Sequence, residues 1–284
     1  MSAASRPPRR LVDSHCHVNA ERFTDDVADV LARARAAGVE RILVPGWNPA
    51  SCDRALAIVE EHAWLDAAVG VHPHDAAKVD DAAWRRIVGQ AADPRVLAIG
   101  ETGLDYDRVF SPIPDQLLNL RRNLALALDT GKPAILHVRS ARGRADAQDA
   151  IVEELVRAGF GAQASVAAFG PDRPPALIHS FSGSVEYAKR VLDLGLAISI
   201  SGLAFRKGEE STADVVPLVP SDRLLVETDS PFLSAPGAPK GRNEPAFVGI
   251  TCAWVSERRA AAGSPWTDDD LVIAYDRTFR PRPA

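Results

Sequence analysis

The sequence has little cysteine, no long apolar run and no excess of positive charge. Three cysteines among 284 residues are too few for a disulfide framework, so we expect reduced thiols in a cytosolic protein. No apolar stretch approaches the length of a membrane-spanning helix, which argues against a helical membrane protein. The net charge of -5 gives no bulk positive field. A polyanion would therefore have to bind through a local basic patch or through bound cations.

The composition otherwise fits a globular protein with a sizeable core, since 46% of the residues are hydrophobic and 25% are charged. At this length the chain can form one α/β barrel or two ordinary domains. The first residues, MSAASRPPRR, are basic and proline-rich with no apolar run behind them. We therefore expect no signal peptide, and a disordered tail over residues 1–9. We also expect a cytoplasmic monomer with no membrane partner.

Eight short apolar runs alternate with segments of helical periodicity. The predicted strands are residues 10–12, 41–44, 67–71, 96–99, 134–136, 176–178, 196–200 and 223–226. The predicted helices are residues 24–37, 51–62, 81–90, 114–129, 146–158, 185–194, 211–218, 245–261 and 268–278, and Ser51 is the expected cap of the second. The apolar runs are continuous, as in strands that are covered on both faces. The pattern predicts a TIM-type (β/α)8 barrel over residues 10–284 as a single domain, with residues 159–175 as a long surface loop.

Side chains that can bind metal ions follow several of these strands. The motif DSHCH (residues 13–17) closes the first run, and strand alternation points His15 and His17 the same way and Cys16 the other. The other candidates each come just after a later strand: Glu101, His137, His179 and Asp229. The carboxyl ends of barrel strands form the catalytic face. We therefore expect these residues to meet at one mouth, with His72 and His74 on its rim.

Each of these residues has an ordinary explanation when taken alone. An isolated histidine is more often a rim residue than a ligand, and Asp229 before Ser230-Pro231 can cap a turn. Together, four histidines and two carboxylates exceed one tetrahedral zinc site and suit two divalent ions that share Glu101 as a bridge. Asp229 would ligate one ion and accept a proton from a bound water. Histidine favours Zn, Mn or Ni and oxygen ligands suit Mg, so the metal stays open.

The chain resembles the TatD family of metal-dependent deoxyribonucleases, within the amidohydrolase-like metallohydrolases, over about residues 11–262. The similar motifs are DSHCH, GVHPH (70–74), IGETGLDY (99–106), KPAILHVR (132–139), HSFSG (179–183) and ETDSPFL (227–233). The resemblance implies a barrel with a divalent-metal centre that hydrolyses phosphodiesters, often from the 3′ end of single-stranded DNA and sometimes RNA. The family's metal ligands correspond to His15, His17, Glu101, His137, His179 and Asp229. His72 corresponds to its histidine beside the scissile phosphate, so the expected catalytic residues are Asp229, Glu101 and His72.

Arg139 and Asn243 are further candidate neighbours of the substrate. Basic residues expected at the mouth are Arg139, Arg142, Arg144, Arg206, Lys207 and Arg242. A second hypothesis keeps the scaffold but changes the bond, to a lactone, an amide or an aminoacyl-tRNA ester. A third, a non-catalytic barrel, leaves the complete ligand set unexplained. The loop between His137 and His179 is longer than is usual in the family, and residues 276–284 depart from its usual ending, so the resemblance does not extend to the closing helix.

Overall fold

Eight parallel strands pair in sequence order around one barrel in the computed structural model, which describes residues 9–280. The strands are β1 (Leu11–Asp13), β2 (Val39–Pro45), β3 (Leu65–Val69), β4 (Val96–Asp105), β5 (Ala134–Arg139), β6 (Ala176–Ile178), β7 (Ala197–Ile200) and β8 (Leu224–Val226). Backbone hydrogen bonds close the ring between the two ends of the sheet, from Ser14 N to Val226 O at 3.1 Å and from Asp229 N to His15 O at 3.0 Å. The predicted TIM-type barrel is confirmed.

Helices connect the strands and cover the barrel. They are α1 (Val27–Ala36), α2 (Pro49–Glu61), α3 (Asp81–Ala91), α4 (Ile113–Thr130), α5 (Asp146–Ala158), α6 (Gln163–Phe169), α7 (Val185–Asp193), α8 (Thr212–Val215), α9 (Val248–Ala261) and α10 (Asp268–Phe279). Short 3-10 turns cover Glu21–Phe23, Pro73–Lys78, Gly202–Phe205, Val216–Leu218, Ser221–Arg223 and Pro245–Phe247. No helix within residues 9–280 is long and apolar enough to cross a membrane.

The core lies on both faces of the strands, as their continuous apolar runs predict. Every residue of β3, β7 and β8 is buried, and Ile42, Leu43 and Val44 of β2 are fully inaccessible. Each such aliphatic side chain contributes about 1.5–3 kcal/mol through removal from water. This rigid wall fixes the positions of the residues at its carboxyl end, where the candidate site lies.

β4 and β5 run several residues further at their carboxyl ends than predicted. β4 extends to Asp105 and β5 to Arg139, so Glu101 and His137 lie within strands and not after them. Gly103 makes the close pairing of β4 and β5 possible, because a Cβ at this position would lie 1.9 Å from the carbonyl oxygen of His137. The glycines in this segment predict the end of the fourth strand, whereas Gly103 lets the strand continue beside its neighbour.

Local differences from the predictions occur at three further places. Asn48, and not Ser51, is the cap of α2, since its side chain accepts a hydrogen bond from Ser51 N at 3.0 Å. The predicted loop 159–175 contains α6. The closing helix predicted over residues 268–278 is confirmed as α10, with Tyr275 and Phe279 buried. Of the predicted tail, residues 1–8 lie outside the described residues, and the Arg9 guanidinium is paired with a carboxylate of α10 at 2.8 Å.

Candidate metal centre

Glu101 stands at the centre of the candidate site, with only 3% of its surface exposed. Its Oε2 atom lies 3.4 Å from Nε2 of His15 and 3.4 Å from Nε2 of His17. Its Oε1 atom lies 3.2 Å from Nδ1 of His137 and 3.0 Å from Nε2 of His179. The two oxygens of one carboxylate therefore face two different pairs of histidines. The barrel brings together residues that are far apart in sequence, as the strand-end pattern predicts.

The first half of the centre consists of His15, His17, Asp229 and Oε2 of Glu101. The two Nε2 atoms are 3.1 Å apart, and Oδ1 of Asp229 lies 3.7 Å from that of His15 and 3.5 Å from that of His17. A tetrahedral ion with ligands at about 2.1 Å places those ligands about 3.4 Å apart. The five separations given above, from 3.1 to 3.7 Å, lie close to this value, so the residues fit one divalent ion.

The second half consists of His137, His179 and Oε1 of Glu101. The facing nitrogens of the two histidines are 3.4 Å apart, and each lies 3.0–3.2 Å from the Glu101 oxygen. These three donors form a triangle of the size expected for one face of a metal site, which leaves the remaining positions for water or substrate. The second half therefore fits a more open ion.

Each of these four histidines turns one ring nitrogen towards Glu101 and the other, its outer nitrogen, away from it. The outer nitrogens have different hydrogen-bond partners in the two halves. In the second half, Asp105 Oδ2 lies 3.2 Å from Nε2 of His137, and Glu227 Oε1 lies 3.2 Å from Nδ1 of His179. Such carboxylates fix the ring orientation and tautomer of a ligating histidine and raise its basicity. In the first half, the Nδ1 atoms of His15 and His17 are buried and find no protein partner among residues 9–280.

Ring packing, and not hydrogen bonding at the outer nitrogens, holds the His15 and His17 rings in position. The His15 ring is stacked on that of His179, with centroids 4.0 Å apart and planes inclined by 14°. The His17 ring meets the edge of Trp47 at 5.2 Å. Cys16, between the two histidines, is buried and belongs to the core, as expected.

His72 lies beside the same carboxylate but presents a donor. Its Nδ1 accepts a hydrogen bond from the backbone N–H of His74 at 3.1 Å, and burial lowers the pKa of the imidazole to about 4. The neutral ring therefore carries its proton on Nε2, which lies 3.2 Å from Oε1 of Glu101. A protonated ring nitrogen does not ligate a metal ion, so this geometry separates His72 from the four histidines of the two halves.

The histidines around the centre keep its acidic groups ionised. Burial alone would raise the pKa of Glu101, but the histidines that face it, His179 and His15 among them, hold it well below its usual range. Burial opposes the ionised form of Glu227 as well, and His179 lowers the pKa of that carboxyl to about 2. Both carboxylates are therefore charged at neutral pH and suited to balance a cation.

A cleft of about 1010 Å³ opens above the centre. Five of the six expected basic residues line it: Arg139, Arg142, Arg144, Arg206 and Lys207. The sixth expectation is wrong, because Arg242 is paired with Asp26 at 2.6 Å and with Glu244 at 2.9 Å, away from the cleft. Asn243 is buried and donates to Thr228 O and Phe232 O. It supports the loop after β8 and does not reach the cleft.

Sequence reasoning missed the two carboxylates that hold the second-half histidines. Asp105 also accepts a hydrogen bond from Nε2 of His74 at 2.7 Å, and Glu227 accepts from the backbone and hydroxyl of Ser180 at 2.8 and 2.7 Å. A signal was present, since Asp105 is four residues after Glu101 on β4 and therefore faces the same side of the strand. Glu227 likewise precedes Asp229 by two residues.

Comparisons with known proteins agree with this architecture. A family model described as "TatD related DNase" matches residues 12–265. The "Uncharacterized metal-dependent hydrolase YabD" of Bacillus subtilis is 35% identical over 249 residues, 87% of this chain and 90% of the relative. The "3'-5' ssDNA/RNA exonuclease TatD" of Klebsiella pneumoniae is 34% identical over 255 residues, 88% of this chain and 90% of the relative. The crystal structure of YJJV, a TatD homologue from Escherichia coli, superposes with a TM-score of 0.79 at 29% identity, covering 96% of this chain and 98% of the other.

Proposed function

Because the chain belongs to the TatD-related DNase family, we propose that it is a divalent-metal-dependent nuclease that removes nucleotides from the 3′ end of single-stranded DNA or RNA. The position of Glu101 carries the proposal, since each of its carboxylate oxygens lies within 3.4 Å of a different pair of histidines. This division suits two ions that act on one phosphodiester. The polarity and the strand preference come from the related exonucleases.

We assign one ion to the first half and one to the second, with Glu101 shared between them. Two divalent ions held there would offset the charge of the phosphodiester and lower the pKa of an attacking water. The imidazole donors favour Zn or Mn, whereas Mg prefers oxygen ligands. The proposal therefore covers Mg, Mn or Zn as the native metal.

Asp229 is the proposed proton acceptor for the attacking water. Its backbone N–H is tied to the carbonyl of His15, and its φ of 52° turns the side chain out of the strand direction, a conformation that aspartate tolerates. The side chain is 12% exposed, against 4% for Glu101. Its carboxylate therefore lies where it can reach both the first-half histidines and a water molecule in the cleft.

His72 is the proposed donor to the substrate. The protonated Nε2 atom lies 3.2 Å from Oε1 of Glu101, at the centre of the site. A phosphodiester oxygen bound beside Glu101 would come within reach of this N–H, and the neutral imidazole would stabilise the charge that develops there in the transition state. This arrangement supports the expected place of His72 beside the scissile phosphate.

The experiment that tests the proposal uses metal-stripped protein and labelled single strands protected at the 5′ or the 3′ end. We expect no cleavage without added cation, and shortening of the 5′-protected strand alone when Mg, Mn or Zn is restored. Cleavage that persists in excess chelator would contradict the mechanism. Turnover of a lactone or an aminoacyl-tRNA ester, with no strand shortened, would favour the alternative bond on the same scaffold.

We further propose that the protein acts as a monomer in the cytoplasm. All three cysteines are free and buried, which suits a reducing compartment. Light scattering on the purified protein and fractionation of the producing cells test the two statements separately.

A further inference from the structure

Two large apolar side chains stand out from the protein surface at the carboxyl end of the barrel. Phe110, on the loop after β4, is 66% exposed, and Phe232, on the loop after β8, is 53% exposed. A phenyl ring gains nothing in free energy from exposure to water. An exposed ring beside a polar centre is therefore a candidate for contact with a ligand.

The two rings lie on opposite sides of the mouth. The eight strands follow one another in order around the barrel, so the loops after β4 and β8 are half a circuit apart. The Phe110 ring meets His74 edge-on at 4.7 Å, and His74 shares Asp105 with His137 of the second half. The Phe232 ring lies 6.2 Å from the ring of His17 in the first half. Each phenyl thus flanks one half of the metal centre.

A basic arc connects the two rings along one side of the cleft. It comes from the loops after β5 and β7, which lie between β4 and β8, and consists of Arg139, Arg142, Arg144, Arg206 and Lys207. Arg142, Arg206 and Lys207 are exposed, and no carboxylate approaches them within 4 Å in the described part of the chain. Their charge is therefore available to phosphate groups.

We propose that a single-stranded polynucleotide crosses the mouth from Phe110 to Phe232, with one nucleobase stacked on each ring and the intervening phosphates along the basic arc. The inference rests on the proposed function and adds to it the path of the strand and two base-binding positions. Stacking is open to any base, because every base has an aromatic face. A duplex does not fit this arrangement, since both faces of its bases are covered by neighbours.

The test compares Phe110→Leu and Phe232→Leu with the unaltered, metal-loaded enzyme. The substrates are single strands of roughly ten nucleotides, either complete or with one nucleoside near the scissile bond replaced by an abasic analogue. For the unaltered enzyme we expect loss of one base to raise KM about tenfold. Each leucine variant should show that rise on the complete strand, and removal of the matching base should then cause no further loss.

Further variants separate stacking from other effects. Leucine keeps the apolar surface but lacks an aromatic face. Phe232→Trp keeps an aromatic face, so its KM should equal or fall below that of the unaltered enzyme. Leu118→Ala is the matched control, because Leu118 is 63% exposed on α4 and does not line the cleft. Its KM should equal that of the unaltered enzyme.

The same dependence is measured as a dissociation constant by anisotropy with labelled strands whose phosphorothioate linkages resist hydrolysis. Base-dependent binding that the leucine variants lose, without cleavage of any ordinary strand, would support this inference and remove the proposed function. Cleavage with a KM that neither the abasic replacement nor the leucine substitutions change would overturn this inference and leave the proposed function standing. An equal rise in KM for Leu118→Ala would also overturn it.

Discussion

The two halves of the centre offer similar donor atoms but are supported in different ways. In the second half, each histidine has a carboxylate on its outer nitrogen, Asp105 for His137 and Glu227 for His179. In the first half, the outer nitrogens have no such partner within residues 9–280. There the second carboxylate, Asp229, lies among the donors themselves.

This difference shows two solutions to one electrostatic problem. A divalent cation in a buried site needs negative charge nearby, either in direct contact or through a ligating imidazole. In the second half, the carboxylates lie on the outer nitrogens of the histidines, and the side that faces the cleft is left open. In the first half, the carboxylate lies among the donor atoms, and ring packing and the β1–β8 hydrogen bonds hold the geometry. The shared Glu101 links the two.

The largest effect is expected for Glu101→Gln, which acts on both halves at once. Glutamine keeps the shape but removes the shared charge, so both ions should be lost and kcat/KM should fall at least about a thousandfold. Bound metal per chain, measured by elemental analysis, and cleavage of single strands check this. If one ion stays bound with full affinity, Glu101 is not shared.

Glu154→Gln is the matched control for this substitution. Glu154 is also buried, but it pairs with Arg121 at 2.7 Å between α4 and α5, outside the cleft. The control should bind both ions, and its cleavage rate should stay within about twofold of the unaltered enzyme, since surface and outer-layer ion pairs contribute about 1 kcal/mol or less to stability.

A smaller and one-sided effect is expected for Glu227→Gln. The neutral amide no longer raises the basicity of His179, so one ion should bind about 10- to 100-fold more weakly while the other is unchanged. Competition with a chromophoric chelator resolves the two affinities. Asp105→Asn should weaken the same ion through His137. Equal weakening of both ions by either substitution would show that the two halves are not supported differently.

The smallest effect concerns the thiol between the first-half histidines. Burial raises the pKa of Cys16 well above its usual value and that of Cys52 and of Cys252 to about 12. Because packing holds the first half, no cysteine should react with a thiol reagent, with or without chelator, until the protein is denatured, when three should react. Reaction of Cys16 on chelation alone would show that this half depends on its ion.

The order and number of the strands could be predicted from the sequence, because strands covered on both faces must be apolar throughout. The convergence of His15 and Asp229 followed from the barrel, since it brings all strand ends to one mouth. The lengths of β4 and β5 could not be predicted, because glycines such as Gly100 and Gly103 are typical of turns and so indicate the end of a strand. Only the pairing of the two strands shows that glycine is needed there.

The supporting carboxylates were harder to find for a different reason. An outer-shell partner is defined by a contact between distant segments, and Asp105 and His137 meet across 32 residues. Ordinary ion pairs elsewhere on the surface use the same residue types as these supporting contacts, so residue type alone does not identify a supporting carboxylate. Arg242 illustrates the converse error. Its charge placed it among the basic residues expected at the mouth, whereas its guanidinium is already paired with Asp26 and Glu244.

The seam between β1 and β8 has a consequence for biosynthesis. The donors of the first half come from both sides of this seam, so a nascent polypeptide displays His15 and His17 early but lacks Asp229 until more than 200 further residues have been added. A chain whose synthesis stops before Asp229 therefore has no complete first half. Translation itself thus delays assembly of the centre until the eighth strand has been made.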